Sequence, residues 1–160
     1  MRVIRKELPE MTVGAGTIIN PDTIPELVDM GVAFGVSPGL NPAVIEKAQQ
    51  LDFLMIPGVI TPGEVERGLS MGLKLLKFFP AEAAGGAKMM KALAGPYGHT
   101  GVKFVPTGGI NAGNAQAYLD LEVTEAIGGS WFVDQKLVAA GEFETIRTLT
   151  QEALKLTSIV

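Results

Sequence analysis

Short apolar runs closed by glycine or proline recur along this chain as MTVGAG, VAFGVSPG, FLMIPG, LLKFFP, KFVPTGG and TEAIGG, and each is followed by a stretch able to form a helix. With Gly14, Gly35, Pro57, Lys77, Val105 and Ile127 as landmarks, successive steps are 21, 22, 20, 28 and 22 residues. That spacing suits a strand, a loop and a helix. Strands apolar on both faces are those of a parallel sheet covered on both sides, and their alternation with helices predicts linked strand-helix-strand units of the α/β class.

The helices carry their own start signals. Asn20-Pro21-Asp22 opens the first, with Pro25 marking a second start about a turn later, and Asn41-Pro42 opens the second. Thr61-Pro62-Gly63-Glu64 opens the third with a capping residue, a proline at the first helical position and an acid in the first turn. Near the end, Phe143, Ile146, Leu149, Ala153 and Leu156 fall at helical spacing and predict a closing amphipathic helix with a solvated charged face.

At 160 residues and 47% hydrophobic, the chain is long enough for one domain over 1–160 and short for two. It has no cysteine, which removes thiolate nucleophiles, disulfides and sulfur-ligated zinc and sits with a cytoplasmic location. A single histidine, His99, leaves little for a multi-histidine metal site or a serine-hydrolase triad. The formal charge of −4, with scattered basic residues, gives no support to a nucleic-acid surface. No apolar run approaches the roughly 20 residues that cross a bilayer.

Lys77 lies between Leu75-Leu76 and Phe78-Phe79. If that run is a buried strand, desolvation lowers the lysine pKa, and a partly neutral amine can attack a ketone to form a Schiff base. The alternative is a lysine whose stem lies along apolar surface with its head in water. Two glycine pairs, Gly108-Gly109 after one run and Gly128-Gly129 after the next, suit phosphate held by backbone N–H groups, and Ser130 offers a hydroxyl to the same anion. Alternatively, each pair only makes a tight turn.

The order GAGT, SPG, IPG, KFFPAE, PTGGI, IGGSW resembles the strand ends of the 2-keto-3-deoxy-6-phosphogluconate aldolase family, whose members often also cleave 4-hydroxy-2-oxoglutarate. The resemblance runs from about Glu10 to the C-terminus, and KFFPAE with PTGGI downstream is its specific part. It implies a (β/α)8 TIM-barrel type fold, a metal-free and cofactor-free class I aldolase acting on a phosphorylated keto acid and yielding pyruvate, and a homotrimer. By the same resemblance Lys77 is the imine-forming lysine. Thr17 contacts the pyruvyl end, and Pro38 and Phe79 line that pocket. Thr107 lies near the substrate hydroxyls, and Gly108, Gly109, Gly129 and Ser130 form the phosphate cradle. Each has a plainer reading: Thr17 as a turn cap, Pro38 and Phe79 as packing, and Trp131 as core.

The resemblance also implies that the barrel is incomplete, with about six of eight strand-helix units. RVIRKELPE looks like the tail of the helix that precedes GAGT in the family. The family's general acid/base glutamate and carboxylate-binding arginine, which lie on the second strand, have no counterpart here. Open sheet edges are then expected at residues 12–16 and 124–128, together with association or low stability. A positioned acid/base contributes about 10² to 10⁴ in rate, so such a chain is expected to turn over slowly. Two other readings remain: an inactive remnant serving as a phosphate-ligand binding or assembly module, and a different phosphate-binding barrel enzyme such as an isomerase.

Overall fold

A computed structural model describes residues 1–157. Its chain divides into two units, one from Met1 to Phe79 and the other from Pro80 onward.

In the first unit a short helix α1 (Arg2–Glu7) precedes β1 (Gly14–Ala15). The Asn20 side chain accepts the Asp22 N–H at 3.0 Å and starts a 3₁₀ turn over Pro21–Thr23, which leads into α2 (Ile24–Asp29) with Pro25 in its first turn. Pro25 sits where no helical donor is required, so it starts a helix here without breaking one. After β2 (Phe34–Val36), the Asn41 carboxamide caps α3 (Pro42–Gln50). β1, β2 and β3 (Leu54–Ile56) pair in parallel, in that order.

Pro57 ends β3, having no N–H to continue the ladder. The chain resumes as β4 (Gly58–Val59), which pairs with β5 (Leu75–Phe78) on the other side. Between them, α4 (Pro62–Ser70) carries the expected capping box: Thr61 Oγ1 accepts the Glu64 N–H, and the Glu64 carboxylate accepts the Thr61 N–H at 2.9 Å. Ala15, Ile18, Ile24, Val44, Ala48 and Met55 form the heart of a buried apolar cluster, with Leu27, Met30 and Leu51 packed on its margin.

The second unit holds α5 (Gly86–Ala94), a 3₁₀ stretch, β6 (Lys103–Pro106), α6 (Ala115–Leu119), α7 (Gln135–Ala140) and α8 (Phe143–Thr157). TEAIGG was expected to form a sixth strand like the others, and the structure differs. Only Thr124 and Gly128 bridge, to Phe104 and Thr107, in parallel. The stretch from Thr124 to Gly128 is one residue longer than the stretch it faces, so the extra residue bulges and interrupts the ladder. The closing helix forms as expected. Ile146, Leu149, Ala153 and Leu156 are half-buried, but Phe143 is 65% exposed at the helix start and does not join that face. Among the described residues no helix is long and apolar enough to cross a membrane.

Candidate active site

Lys77 is built into β5 by alternation. Leu76 and Phe78 are fully buried, whereas Leu75 and Lys77 are half-buried. Leu76 lies on the side covered by α4, close enough that a methyl group on Gly68 would come within 3.0 Å of it. Successive strand residues point to opposite faces, so Lys77 faces away from α4. Its backbone N–H is held by the Pro57 carbonyl at 2.8 Å. Burial lowers the Lys77 pKa below the usual lysine value. The ammonium also lies 4.4 Å from the centroid of the Phe79 ring, a contact that favours the charged form. Lys77 is thus a half-buried amine on the face of its strand turned away from α4.

Thr17 and Pro38 sit two residues beyond the ends of β1 and β2. Thr17 is exposed and has φ of 59°, a left-handed conformation that a β-branched residue adopts only at a cost of about 1–3 kcal/mol. Pro38 is exposed, in a turn where the buried Ser37 hydroxyl donates to the Gly39 carbonyl at 2.8 Å.

In the second unit the five residues expected to hold phosphate or nearby hydroxyls come together. Thr107, Gly108, Gly109, Gly129 and Ser130 line one open cavity of about 480 Å³, joined by Ile110, Gly128 and Trp131. Gly108 and Gly109 have φ of 102° and 82°, which a glycine adopts without strain. Thr107 and Gly108 turn their carbonyls to the N–H groups of Ala81 and Glu82, at 2.8 and 3.0 Å. The amides of Gly109, Gly129 and Ser130 donate to no protein acceptor among the described residues. Cavity-lining amides without partners are the donors an anion needs.

The helix that follows the first pair is entered through an asparagine turn. Asn111 accepts the Gly113 N–H at 2.9 Å, Asn114 accepts the Asn111 N–H at 2.7 Å, and α6 begins only at Ala115. Trp131, expected in the core, is half-buried on the cavity wall, with the Phe132 ring edge-on at 4.9 Å. Gly128 and Trp131 belong to the IGGSW string, Gly128 as a member of the second glycine pair. Glu82 closes the KFFPAE string, which gives no sign of its partner. It is exposed, yet its carboxylate accepts the hydroxyl of the fully buried Tyr118, far along the chain.

The chain is similar to known proteins along nearly its whole length. The family model described as KDPG and KHG aldolase matches residues 1–149. The KHG/KDPG aldolase of Escherichia coli is 43% identical over 155 residues, covering 97% of this chain and 72% of that protein. The 2-dehydro-3-deoxy-phosphogluconate aldolase of Dickeya dadantii is 40% identical, covering 96% and 71%. Among solved structures, the KDPG aldolase of Legionella pneumophila, with pyruvate captured as a covalent carbinolamine, superposes with a TM-score of 0.87 at 38% identity, over 92% of this chain and 71% of that one. The aldolase of Zymomonas mobilis with 3-phosphoglycerate gives 0.84 at 38% identity, over 94% and 69%. These aldolases are of the TIM-barrel type, and parallel strands alternating with helices agree with that. With a family model matched over residues 1–149 and relatives this similar, the chain belongs to the KDPG and KHG aldolase family.

Proposed function

We propose that this chain is a class I aldolase, a carbon-carbon lyase that cleaves 2-keto-3-deoxy-6-phosphogluconate to pyruvate and glyceraldehyde 3-phosphate, and 4-hydroxy-2-oxoglutarate to pyruvate and glyoxylate. The observation that carries the reading is the Lys77 amine, half-buried on the face of β5 turned away from α4, with its pKa lowered by burial. A lower pKa raises the neutral fraction at working pH, and only the neutral amine attacks a carbonyl.

The neutral Lys77 Nζ adds to the C2 ketone, and loss of water with uptake of one proton from solvent gives a protonated imine. A base takes the C4 hydroxyl proton, the C3–C4 bond breaks, its electron pair flows into the iminium, and the aldehyde leaves. The resulting enamine takes a proton at C3, and hydrolysis releases pyruvate and the free amine. Glu82 is not given the role of base, because its carboxylate is engaged by Tyr118. The phosphate lies in the cavity between the two diglycine bends, bound by the Gly109, Gly129 and Ser130 amides, with Gly108 shaping the bend. Thr107 faces the substrate hydroxyls, and Thr17, Pro38 and Phe79 line the pyruvyl pocket. The same proposal takes 1–160 as one domain carrying six of the eight barrel units, assembled as a homotrimer in the cytoplasm.

Incubation with pyruvate and borohydride, followed by peptide mass analysis, is expected to find the adduct on Lys77. Lys77→Ala should abolish the adduct and lower cleavage by on the order of 10³-fold or more. Cleavage by Lys77→Ala at the parent rate would overturn the mechanism. An adduct without cleavage would favour a binding module over an enzyme.

A further inference from the structure

Glu82 holds the first diglycine bend in two ways. Its backbone N–H donates to the Gly108 carbonyl at 3.0 Å. Its Cβ and Cγ occupy the space beside the Gly109 α-carbon, where an added methyl would meet them at 2.8 and 2.9 Å. Its carboxylate then accepts the Tyr118 hydroxyl. Tyr118 is fully buried on α6, the helix into which the bend itself leads.

The connection back to the bend is equally well defined. The side-chain amides of Asn111 and Asn114 donate to the Gly109 carbonyl at 3.3 and 3.1 Å, and the Asn111 carbonyl accepts the Ala115 N–H at 2.9 Å to open α6. At the other end of α6, the Thr124 hydroxyl holds the Tyr118 carbonyl at 2.7 Å. Bend, asparagine turn, α6, Tyr118 and Glu82 therefore form a closed ring, and a single side-chain hydrogen bond closes it.

A buried phenol left without an acceptor is costly, and an ionised acceptor makes the bond stronger than a neutral one. Burial first, and the Glu82 carboxylate second, push the Tyr118 pKa well above the ordinary tyrosine value, so the hydroxyl remains a donor at any working pH. A carboxylate freed from this bond would also lie next to a bend whose amides are set out for an anion.

We propose that Glu82 and Tyr118 are positioning residues for the phosphate end of the substrate: their bond fixes the Gly108-Gly109 bend so that its amides are spaced for a phosphate that neither side chain touches. The proposal rests on the reading that the two diglycine bends bind phosphate. It assigns affinity for the phosphorylated end to a contact made behind the cavity wall.

Titration of the full chain with 3-phosphoglycerate by calorimetry, with amide NMR of the parent, tests it. Glu82→Ala, at an exposed position and keeping the Cβ beside Gly109, should weaken binding by about 5- to 10-fold, and Tyr118→Phe should do the same. Glu82→Gln keeps an acceptor for the phenol and should remain within about twofold of the parent. Glu82→Met keeps the Cβ and Cγ beside Gly109 without an acceptor for the phenol and should lose as much as Glu82→Ala, whereas a merely packing role would be restored by methionine as well as by glutamine. Parent-like binding by Glu82→Ala, or equal loss in Glu82→Gln and Glu82→Ala, overturns the proposal. Because Glu82→Ala leaves the buried phenol ring in place, the proposal stays open to refutation even if Tyr118→Phe fails to fold. The parent spectrum separates the two ideas. If 3-phosphoglycerate does not move the Gly109 and Gly129 amide resonances, the phosphate reading fails and takes this proposal with it. If they move while Glu82→Ala binds as the parent does, this proposal fails alone.

Discussion

The two diglycine bends read alike in the sequence and are glycine for different reasons. Gly108 and Gly109 both sit in the left-handed region, and Gly109 is also pressed against the first side-chain carbons of Glu82. Neither Gly128 nor Gly129 has a left-handed φ. They are glycine for clearance: a methyl on Gly128 would come within 2.5 Å of Thr107 Oγ1, and one on Gly129 would run into the Trp131 ring. The first bend needs a torsion that other residues resist. The second needs room, and room can be recovered by moving a neighbour.

The largest effect should come at the first bend. Gly109→Ala has both to adopt a strained φ and to displace Glu82 close to its backbone, which should lower the unfolding free energy by about 3 kcal/mol and abolish 3-phosphoglycerate binding, as read by urea unfolding and calorimetry. Gly129→Ala should cost less, about 1–2 kcal/mol, because the obstacle is the outer edge of a ring that can swing. In a Trp131→Ala background most of that cost should disappear, whereas the cost of Gly109→Ala should not change. If Gly129→Ala proves as damaging as Gly109→Ala in both backgrounds, the distinction between torsion and clearance is lost.

The smallest effect is at alkaline pH and belongs to the brace of the first bend alone. The folded Tyr118 pKa is raised, so its contribution to stability is complete below the unfolded tyrosine value of about 10. Above that value the unfolded chain gives up the proton while the folded chain retains it, and stability falls as pH rises towards the folded pKa. Urea unfolding of the parent and Tyr118→Phe should therefore converge above pH ~10, and parallel curves would show that the phenol is not held as described.

Short-range features were legible in advance. Asn20, Asn41 and Thr61 cap helices as their neighbours indicated, because each cap bonds a backbone N–H two or three residues away. Pro25 starts a helix for the same local reason. The candidate phosphate residues were legible as well, since both glycine pairs end apolar runs and both line the cavity. The bulge at 124–128 was not, because TEAIGG reads like the other runs and only the count of residues facing β6 reveals the extra one. Phe143 fits the apolar spacing of α8, yet spacing says nothing about where the surface beneath a helix ends.

Lys77 lies between these cases. Its apolar neighbours left open both a desolvated amine and a lysine with its head in water, and the face it takes follows from Leu76 lying on the α4 side. Glu82 and Tyr118 are out of reach of any local pattern, being 36 positions apart. Residue order was enough for caps, strand periods and the pairs of glycines, since those depend on atoms within a turn or two of chain. Which glycine is held by torsion and which by a neighbour's bulk, and which carboxylate meets a buried phenol, depended on distant segments being brought into contact, because steric exclusion and hydrogen bonding act over a few ångströms of space whatever the separation along the chain.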